Sequence, residues 1–406
     1  MKVDFMRRID YWIGIPICFL LTILRYIENG MGIKRLDKGF KPKKILFIEL
    51  SEMGSTILAY GAMKKAKELY KSEAYFMIFK ENEQSIRLLN VIPPENVITI
   101  RSKSFLLLGL DTIKAVFKMR SLKIDTVIDL ELFSRFTSIL SFLSGAKATV
   151  GFYRYHMEGL YRGNFITHKI EYNPHIHISY SFMSMVYSLK YDYRDIPMLK
   201  RKIIQDEIIC PKLNSSEKAK SDIYARLKKK NSAVDIKSRI IIINPNASQL
   251  LPIRKWPLEN FQELAKKILE IGKDIFLVIT GLESEKMDAV KICEYVNNNR
   301  CIDFTGETNL KELIDLYNIS EVLVSNDSGP AHFASLSNIK SIVLFGPETP
   351  KIYAPLSEDC YPLYANLACS PCVSAFNHRK TPCRNNVCLK TIKVNAAYKL
   401  IISILH

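Results

Sequence analysis

The chain of 406 residues carries 58 Lys and Arg against 41 Asp and Glu, a formal charge of +17, and is 48% hydrophobic. That balance excludes a disordered chain, and 16 Gly with 17 Pro exclude a collagen-like or low-complexity one. The basic residues are dispersed, without aromatic-interleaved basic motifs. Nucleic acid is therefore set aside as a partner, leaving an anionic membrane face, a phosphorylated substrate, or an ordinary solvated surface.

Residues 1–40 read as an N-terminal docking or membrane-associated segment. Lys2, Arg7 and Arg8 precede an apolar run from Tyr11 to Leu24, which Arg25 closes. A helix over that run reaches about 21 Å, short of the roughly 30 Å hydrocarbon core. The residues after it offer no small-x-small cleavage site. A helix in the membrane interface fits best, with Tyr11, Trp12 and Tyr26 at headgroup level and the basic residues on anionic lipid. A tilted span and a helix packed on protein are the alternatives.

Residues 41–208 read as a first α/β domain. Lys43–Leu50 (KKILFIEL) is a short apolar run, the pattern of a strand buried on both faces. The loop Ser51–Ser55 follows, then helical spacing from Thr56 to Tyr70. Further strands are expected at Ala74–Phe79, Val97–Ile100 and Thr126–Leu130. Alternating strands and helices argue for a parallel sheet covered on both faces. Gly151–His177 is rich in Tyr, Arg and His. Arg154, His156 and Arg162 are candidate contacts for acceptor phosphates or carboxylates, and a solvated insertion is the plainer reading.

The boundary is expected near 200–215, where the polar, Lys-rich stretch Cys210–Ser238 reads as a solvated helix plus linker. Residues 209–392 then repeat the alternation. Strands are expected at Ile240–Asn244, Asp274–Thr280, Cys301–Phe304, Glu321–Ser325 and Ser341–Phe345, with helices between them. Ligands of doubly wound sheets sit at the carboxyl ends of the strands, and three motifs fall there. Ser325-Asn326-Asp327-Ser328-Gly329-Pro330-Ala331-His332 ends a strand and starts a helix whose open amides suit a phosphate. Asn246 and Ser248 can hydrogen-bond phosphate oxygens, and Lys255 can neutralise them. Glu283 can accept ribose hydroxyls. The bland alternatives are a helix cap, a polar loop and an acid favoured by a helix N-terminus.

In chain order the segments KILFIELSEMGSTILAYGAMKKAK, INPNASQLLPIRKWPLENFQELA, LVITGLESEK, CIDFTGETNLKELIDL, VSNDSGPAHFASL and VLFGPETPKIYAPL resemble the heptosyltransferase-type glycosyltransferases, family nine. The resemblance spans residues 43–356. It implies a GT-B fold, two Rossmann-like doubly wound domains facing a cleft. It implies inverting transfer from a nucleotide-diphosphate sugar, ADP-linked by preference, to a lipopolysaccharide-like or other cell-surface glycan. No cofactor is required, and the enzyme would be peripheral on the cytoplasmic membrane's inner face. Asn246, Ser248, Lys255, Asp327, Ser328, Gly329 and His332 would hold the diphosphate and Glu283 the ribose, with Gly54 and Ser55 also near the donor. Residues 393–406 would form a helix returning to the first domain.

One position departs from the family pattern. The residue after Gly54, usually an Asp and the catalytic base, is Ser55. A serine takes no proton at neutral pH without its own base. Glu52, in the same loop, is the candidate base, and Glu49 is set aside as lying inside the strand. The same departure keeps open a non-catalytic nucleotide-sugar-binding or scaffold protein. Finally, the spacing of Cys369, Cys372, Cys383 and Cys388 suits a structural zinc, disulfides or plain thiols.

Overall fold

The computed structural model describes residues 3–32, 36, 39–155, 159–195, 199–247 and 251–406. They divide into two compact units. One comprises residues 1–209 with 374–380, the other 210–373 with 381–406.

The first unit is built on six parallel strands: β1 Lys44–Ile48, β2 Glu73–Phe79, β3 Val97–Ile100, β4 Thr126–Asp129, β5 Ala148–Tyr153 and β6 His168–Glu171. Their order is β3-β2-β1-β4-β5-β6. The central strand β1 is apolar because both faces are covered, with Ile45, Leu46, Phe47 and Ile48 all fully buried. It pairs Ile45 with Ala74 on one side and with Thr126 on the other. The strand order reverses between β1 and β4, so a crevice opens at their carboxyl ends.

The second unit repeats this topology with β7 Arg239–Asn244, β8 Ile275–Ile279, β9 Cys301–Asp303, β10 Val322–Asn326, β11 Lys340–Phe345 and β12 Cys360–Tyr364. The order is β12-β11-β10-β7-β8-β9, which reverses between β7 and β10. The stretch read as solvated helix and linker is more ordered than expected. Ser216 caps helix Glu217–Lys230 by accepting from Ala219 N at 3.2 Å, and Ile223 and Leu227 are buried.

The C-terminal helix Val394–Leu405 belongs to the second unit. Val394, Ala397 and Ile401 are buried in the second unit's core with Trp256, Phe261 and Leu264. Their spacing makes one apolar stripe, and that stripe helps to close the unit it belongs to.

The N-terminal segment forms helices Val3–Trp12 and Gly14–Gly30. Gly14, Cys18, Thr22 and Arg25 line one buried face of the second helix, which packs on helix Arg135–Leu143. A Cβ on Gly14 would stand 2.9 Å from Arg135 Cβ, so only glycine permits that approach. Asp10 accepts from the Arg135 and Phe136 amides, each at 3.1 Å, and pairs with the Arg135 guanidinium at 2.9 Å. Thr22 Oγ1 accepts from Asn164 N at 2.9 Å, and Arg25 lies over the Phe142 ring at 4.9 Å.

Candidate active site

In the first unit, carboxylates gather where β1 and β4 end. Glu131 Oε1 accepts from Leu50 N at 2.9 Å, Ser51 N at 3.1 Å and Ser51 Oγ at 2.9 Å. Asn82 Nδ2 donates to the Leu50 and Ser51 carbonyls, each at 3.0 Å. The loop after β1 is thereby pinned from two neighbouring strands. Glu49 lies one residue past β1, buried, and its Oε1 accepts from Glu52 N at 3.2 Å. Burial, reinforced by Glu131 and Asp129 and opposed by Arg379, raises its pKa well above the ordinary carboxylate range.

Glu52 is the N-cap of helix Met53–Leu58. Its Oε2 accepts from Ser55 Oγ at 3.0 Å, and its Oε1 is ion-paired with Arg379. Ser55 therefore orients a carboxylate and does not replace one. Gly54 lies on the same short helix.

Arg379 escaped the sequence reading. It belongs to residues 374–380, a late piece of chain that forms part of the first unit. Phe376 anchors this segment, 5.1 Å edge-on to Tyr172 and 6.1 Å from Phe133 between ring centroids. Asn377 Oδ1 accepts from Ser374 N at 3.0 Å, and Arg379 N donates to the Ser374 carbonyl at 2.9 Å. These bonds hold His378 and Arg379 at φ +56° and +52°, left-handed values that side chains otherwise avoid. Burial pulls the Arg379 guanidinium down to about 10, against the pull of Glu49.

Of the candidate acceptor contacts, Arg154 lines a pocket with Tyr153, Tyr155 and Tyr161, its guanidinium 5.4 Å from the Tyr161 ring. Arg162 lines the same pocket. It is 1% exposed and ion-paired with Asp129, with Nη1 donating to the Glu131 carbonyl at 3.3 Å. A buried guanidinium committed to those partners supports the β4 loop, at the floor of the pocket that Arg154 lines. Burial pushes Asp129 up to about 6 even so. His156 lies outside the described residues.

In the second unit the motif residues converge on the β7 and β10 carboxyl ends. Asn326 Nδ2 donates to the Pro245 and Asn246 carbonyls at 3.0 and 3.1 Å, and its Oδ1 accepts from Trp256 N at 2.9 Å. Both ends of the connection after β7 are thus tied to one side chain at the end of β10. Asn246 is buried, and its Nδ2 has no hydrogen-bond partner among the described residues. Gly281 leaves room there, since a Cβ would come within 2.7 Å of that nitrogen. Ser248 lies outside the described residues.

The cation facing Asp327 is Arg254, not Lys255. Arg254 Nη1 contacts Asp327 Oδ2 at 3.4 Å and Glu348 Oε2 at 3.0 Å, all three groups buried. Burial works against the Arg254 charge, but Asp327 and Glu348 outweigh it and leave its pKa above the ordinary value. Burial pushes Glu348 up to about 8. Lys255 is turned to Asp288. Ser328 is the N-cap of helix Gly329–Ala334, and its Oγ donates to the Asn326 carbonyl at 3.2 Å. That helix is only six residues long, and His332 is buried in it. Glu283 follows β8, exposed, 3.5 Å from Lys286. Gly306, at φ +73°, makes way for its carboxylate.

The four clustered cysteines are thiols, as are the other five. Thr381 Oγ1 donates to Cys372 Sγ at 3.3 Å, and Cys383 donates to the Asn385 carbonyl at 3.2 Å. Among the described residues no group of three or more His, Cys, Asp or Glu is arranged to hold a metal. The zinc expectation for Cys369, Cys372, Cys383 and Cys388 therefore finds no ligand geometry.

Comparison with known proteins agrees with this architecture. The family described as glycosyltransferase family 9 (heptosyltransferase) matches residues 140–381, more than half of the chain. Lipopolysaccharide heptosyltransferase 2 of Escherichia coli is 30% identical over 109 residues, 26% of this chain and 31% of that protein. The chain thus spans about a third of that relative's length. The lipopolysaccharide core heptosyltransferase OpsX of Haemophilus influenzae is 23% identical over 323 residues, 77% of this chain and 82% of its own. The solved E. coli ADP-heptose LPS heptosyltransferase II superposes with a TM-score of 0.67 at 18% identity, covering 89% of this chain and 98% of that one. The fold is the GT-B fold.

Proposed function

The chain belongs to glycosyltransferase family 9, and from that premise we propose that it transfers a heptose-type sugar from a nucleoside-diphosphate donor to a lipopolysaccharide-like acceptor. The relatives named above act on lipopolysaccharide, and the solved neighbour is named for ADP-heptose. An ADP-sugar is accordingly the favoured donor and the inner face of the cytoplasmic membrane the favoured location.

In this reading Glu52 takes the proton of the acceptor hydroxyl as its oxygen bonds to the anomeric carbon. The bond to the diphosphate breaks, the nucleoside diphosphate leaves with the electron pair, and the anomeric configuration inverts. The second unit holds the donor. Asn246, Ser328 and Gly329 meet the diphosphate, Arg254 keeps Asp327 in place beside it, and Glu283 takes the ribose. Preorganised donors aimed at the leaving group stabilise the charge that develops there. The observation that carries the proposal is the buried Asn246 Nδ2, unpartnered among the described residues, at the β7–β10 crevice, where doubly wound sheets bind ligands.

Calorimetry against ADP, UDP, GDP and CDP, followed by a transfer assay with the matching sugar conjugate, tests it. One nucleotide should bind, and its affinity should fall on Asn246→Ala. A folded protein that binds none of the four would overturn the transferase reading. Nucleotide binding without turnover on any acceptor would favour the scaffold alternative, which the Ser55 departure supports.

A further inference from the structure

We propose that helix Phe105–Ser121 and the outward faces of helices Val3–Trp12 and Gly14–Gly30 form one docking surface for an anionic lipid bilayer. The inference deepens the peripheral-membrane reading and is independent of the transfer chemistry.

The outward face of helix Gly14–Gly30 lies opposite Gly14, Cys18, Thr22 and Arg25. It presents Phe19, Leu20, Ile23, Leu24 and Ile27 to solvent, and Trp12 just before it is 73% exposed. Helix Phe105–Ser121 is inverted in the same sense. Asp111, Ala115 and Met119 face the core. Leu106, Leu110, Ile113 and Phe117, spaced four, three and four apart, point outward, with Leu106 72% and Phe117 70% exposed. Single exposed apolar side chains are ordinary, but two helices each turning an apolar stripe outward are not. Helix Val3–Trp12 links the two, because its Phe5 ring meets Phe105 edge-on at 5.2 Å and the helix itself packs on helix Gly14–Gly30.

Charge selects the occupant. Arg8, Lys103, Lys114, Lys118 and Lys123 surround the apolar side chains and are exposed. Asp111 feels Lys114, but its carboxylate is committed to a two-pronged pair with Arg101. Asp10 is turned onto Arg135, and Glu28 onto Arg25. A second copy of this chain would bring the same positive rim against itself, whereas anionic headgroups complement it. Tyr11, Trp12 and Tyr26, all exposed, suit the headgroup level.

The same packing argues against a span. The 26-residue stretch Phe5–Gly30 is long and apolar enough to cross a bilayer. Crossing would strip Thr22 from Asn164 and Arg25 from Phe142 and carry Arg25 with Glu28 into hydrocarbon. Lying in the interface keeps those contacts and buries only the outward face.

The test is flotation of the full chain with vesicles containing about 30% phosphatidylglycerol, compared with pure phosphatidylcholine. The wild type should float with the anionic vesicles. Leu110→Glu combined with Phe117→Glu, which alters exposed positions and should leave the melting curve unchanged, should weaken binding about tenfold or more. Trp256 is buried, so a lipid-dependent blue shift of emission reports Trp12. Lipids brominated near the headgroup should quench it more than lipids brominated at the chain ends. Flotation of the double variant equal to wild type would remove helix Phe105–Ser121 from the surface. Strongest quenching at the bilayer centre would replace docking by a span. A lipid-free dimer broken by the double variant, without flotation of the wild type, would make the surface a protein interface. None of these readouts depends on turnover, so loss of the transferase reading would be seen separately in the nucleotide titrations.

Discussion

Arg379 is ion-paired with Glu52, the candidate base, although about four fifths of the chain lies between them. The pair fixes one oxygen of the carboxylate, and Ser55 holds the other. Glu52→Gln keeps the shape and removes the basicity. Turnover should fall by about 10²- to 10⁴-fold with nucleotide affinity unchanged, as read by a transfer assay beside calorimetry. Wild-type turnover in the variant would remove Glu52 from the chemistry.

Arg379→Ala should lower kcat while leaving nucleotide affinity as it was, and Arg379→Lys should recover part of the loss. The alanine variant also leaves Glu52 and the buried Glu49 without their cation. Its stability cost should lie toward the lower end of about 3–5 kcal/mol, because Glu52 keeps some solvent contact. Chemical denaturation measures that cost.

Arg254 and Lys255 should separate sharply. Arg254→Met strands the Asp327 carboxylate in a buried pocket beside Glu348, and a loss of about 3–5 kcal/mol is expected, together with donor binding. Lys255→Ala breaks a half-exposed pair with Asp288 and should cost about 0–1 kcal/mol. Equal effects in thermal unfolding would contradict the placement of these two side chains.

Glu348 makes stability depend on pH. Its carboxyl titrates near pH about 8 when folded and near about 4.3 when unfolded. Between those values the folded state keeps a proton that the unfolded state has lost. Its contribution is therefore full below the lower value and is lost as pH rises through the upper one. The stability of wild type relative to Glu348→Gln should fall from pH 5 to 8. The difference is needed because His168 and His378, held down to about 4 by burial, slope the other way between about 4 and 6.5. A flat difference curve would show that Glu348 does not carry the proton.

Ile401→Ala should destabilise the second unit by about 2–5 kcal/mol, since the side chain is fully buried among Trp256, Phe261 and Leu264. A first-unit signal, such as hydrogen exchange of β1, should not move. The reverse pattern would restore the expectation that this helix returns to the first unit.

Much of the sheet architecture is legible in the sequence because parallel strands buried on both faces leave dense apolar runs, such as Ile240–Ile243 and Ile275–Ile279. Local chemistry is less legible. Arg254 and Lys255 are adjacent cations, and which one turns inward is set by Lys255 lying extended just before Trp256, whose amide is held by Asn326. No periodicity records that choice. Arg379 left no local trace either, since its partner is brought to it only by the fold. The N-terminal run measured short because apolar composition stops near Leu24, whereas the helix continues through polar residues to Gly30.

The 374–380 segment bears on how the protein emerges from the ribosome. A nascent chain released only to residue 209 has both edges of its first sheet but lacks Phe376 and Arg379, so Phe133 and Tyr172 stand uncovered and Glu52 lacks its guanidinium. The second unit waits longer still, for the helix at 394–405. The first unit cannot be sealed before residue 380 is made, nor the second before residue 405, so a gene cut at the apparent domain boundary should yield two incomplete halves.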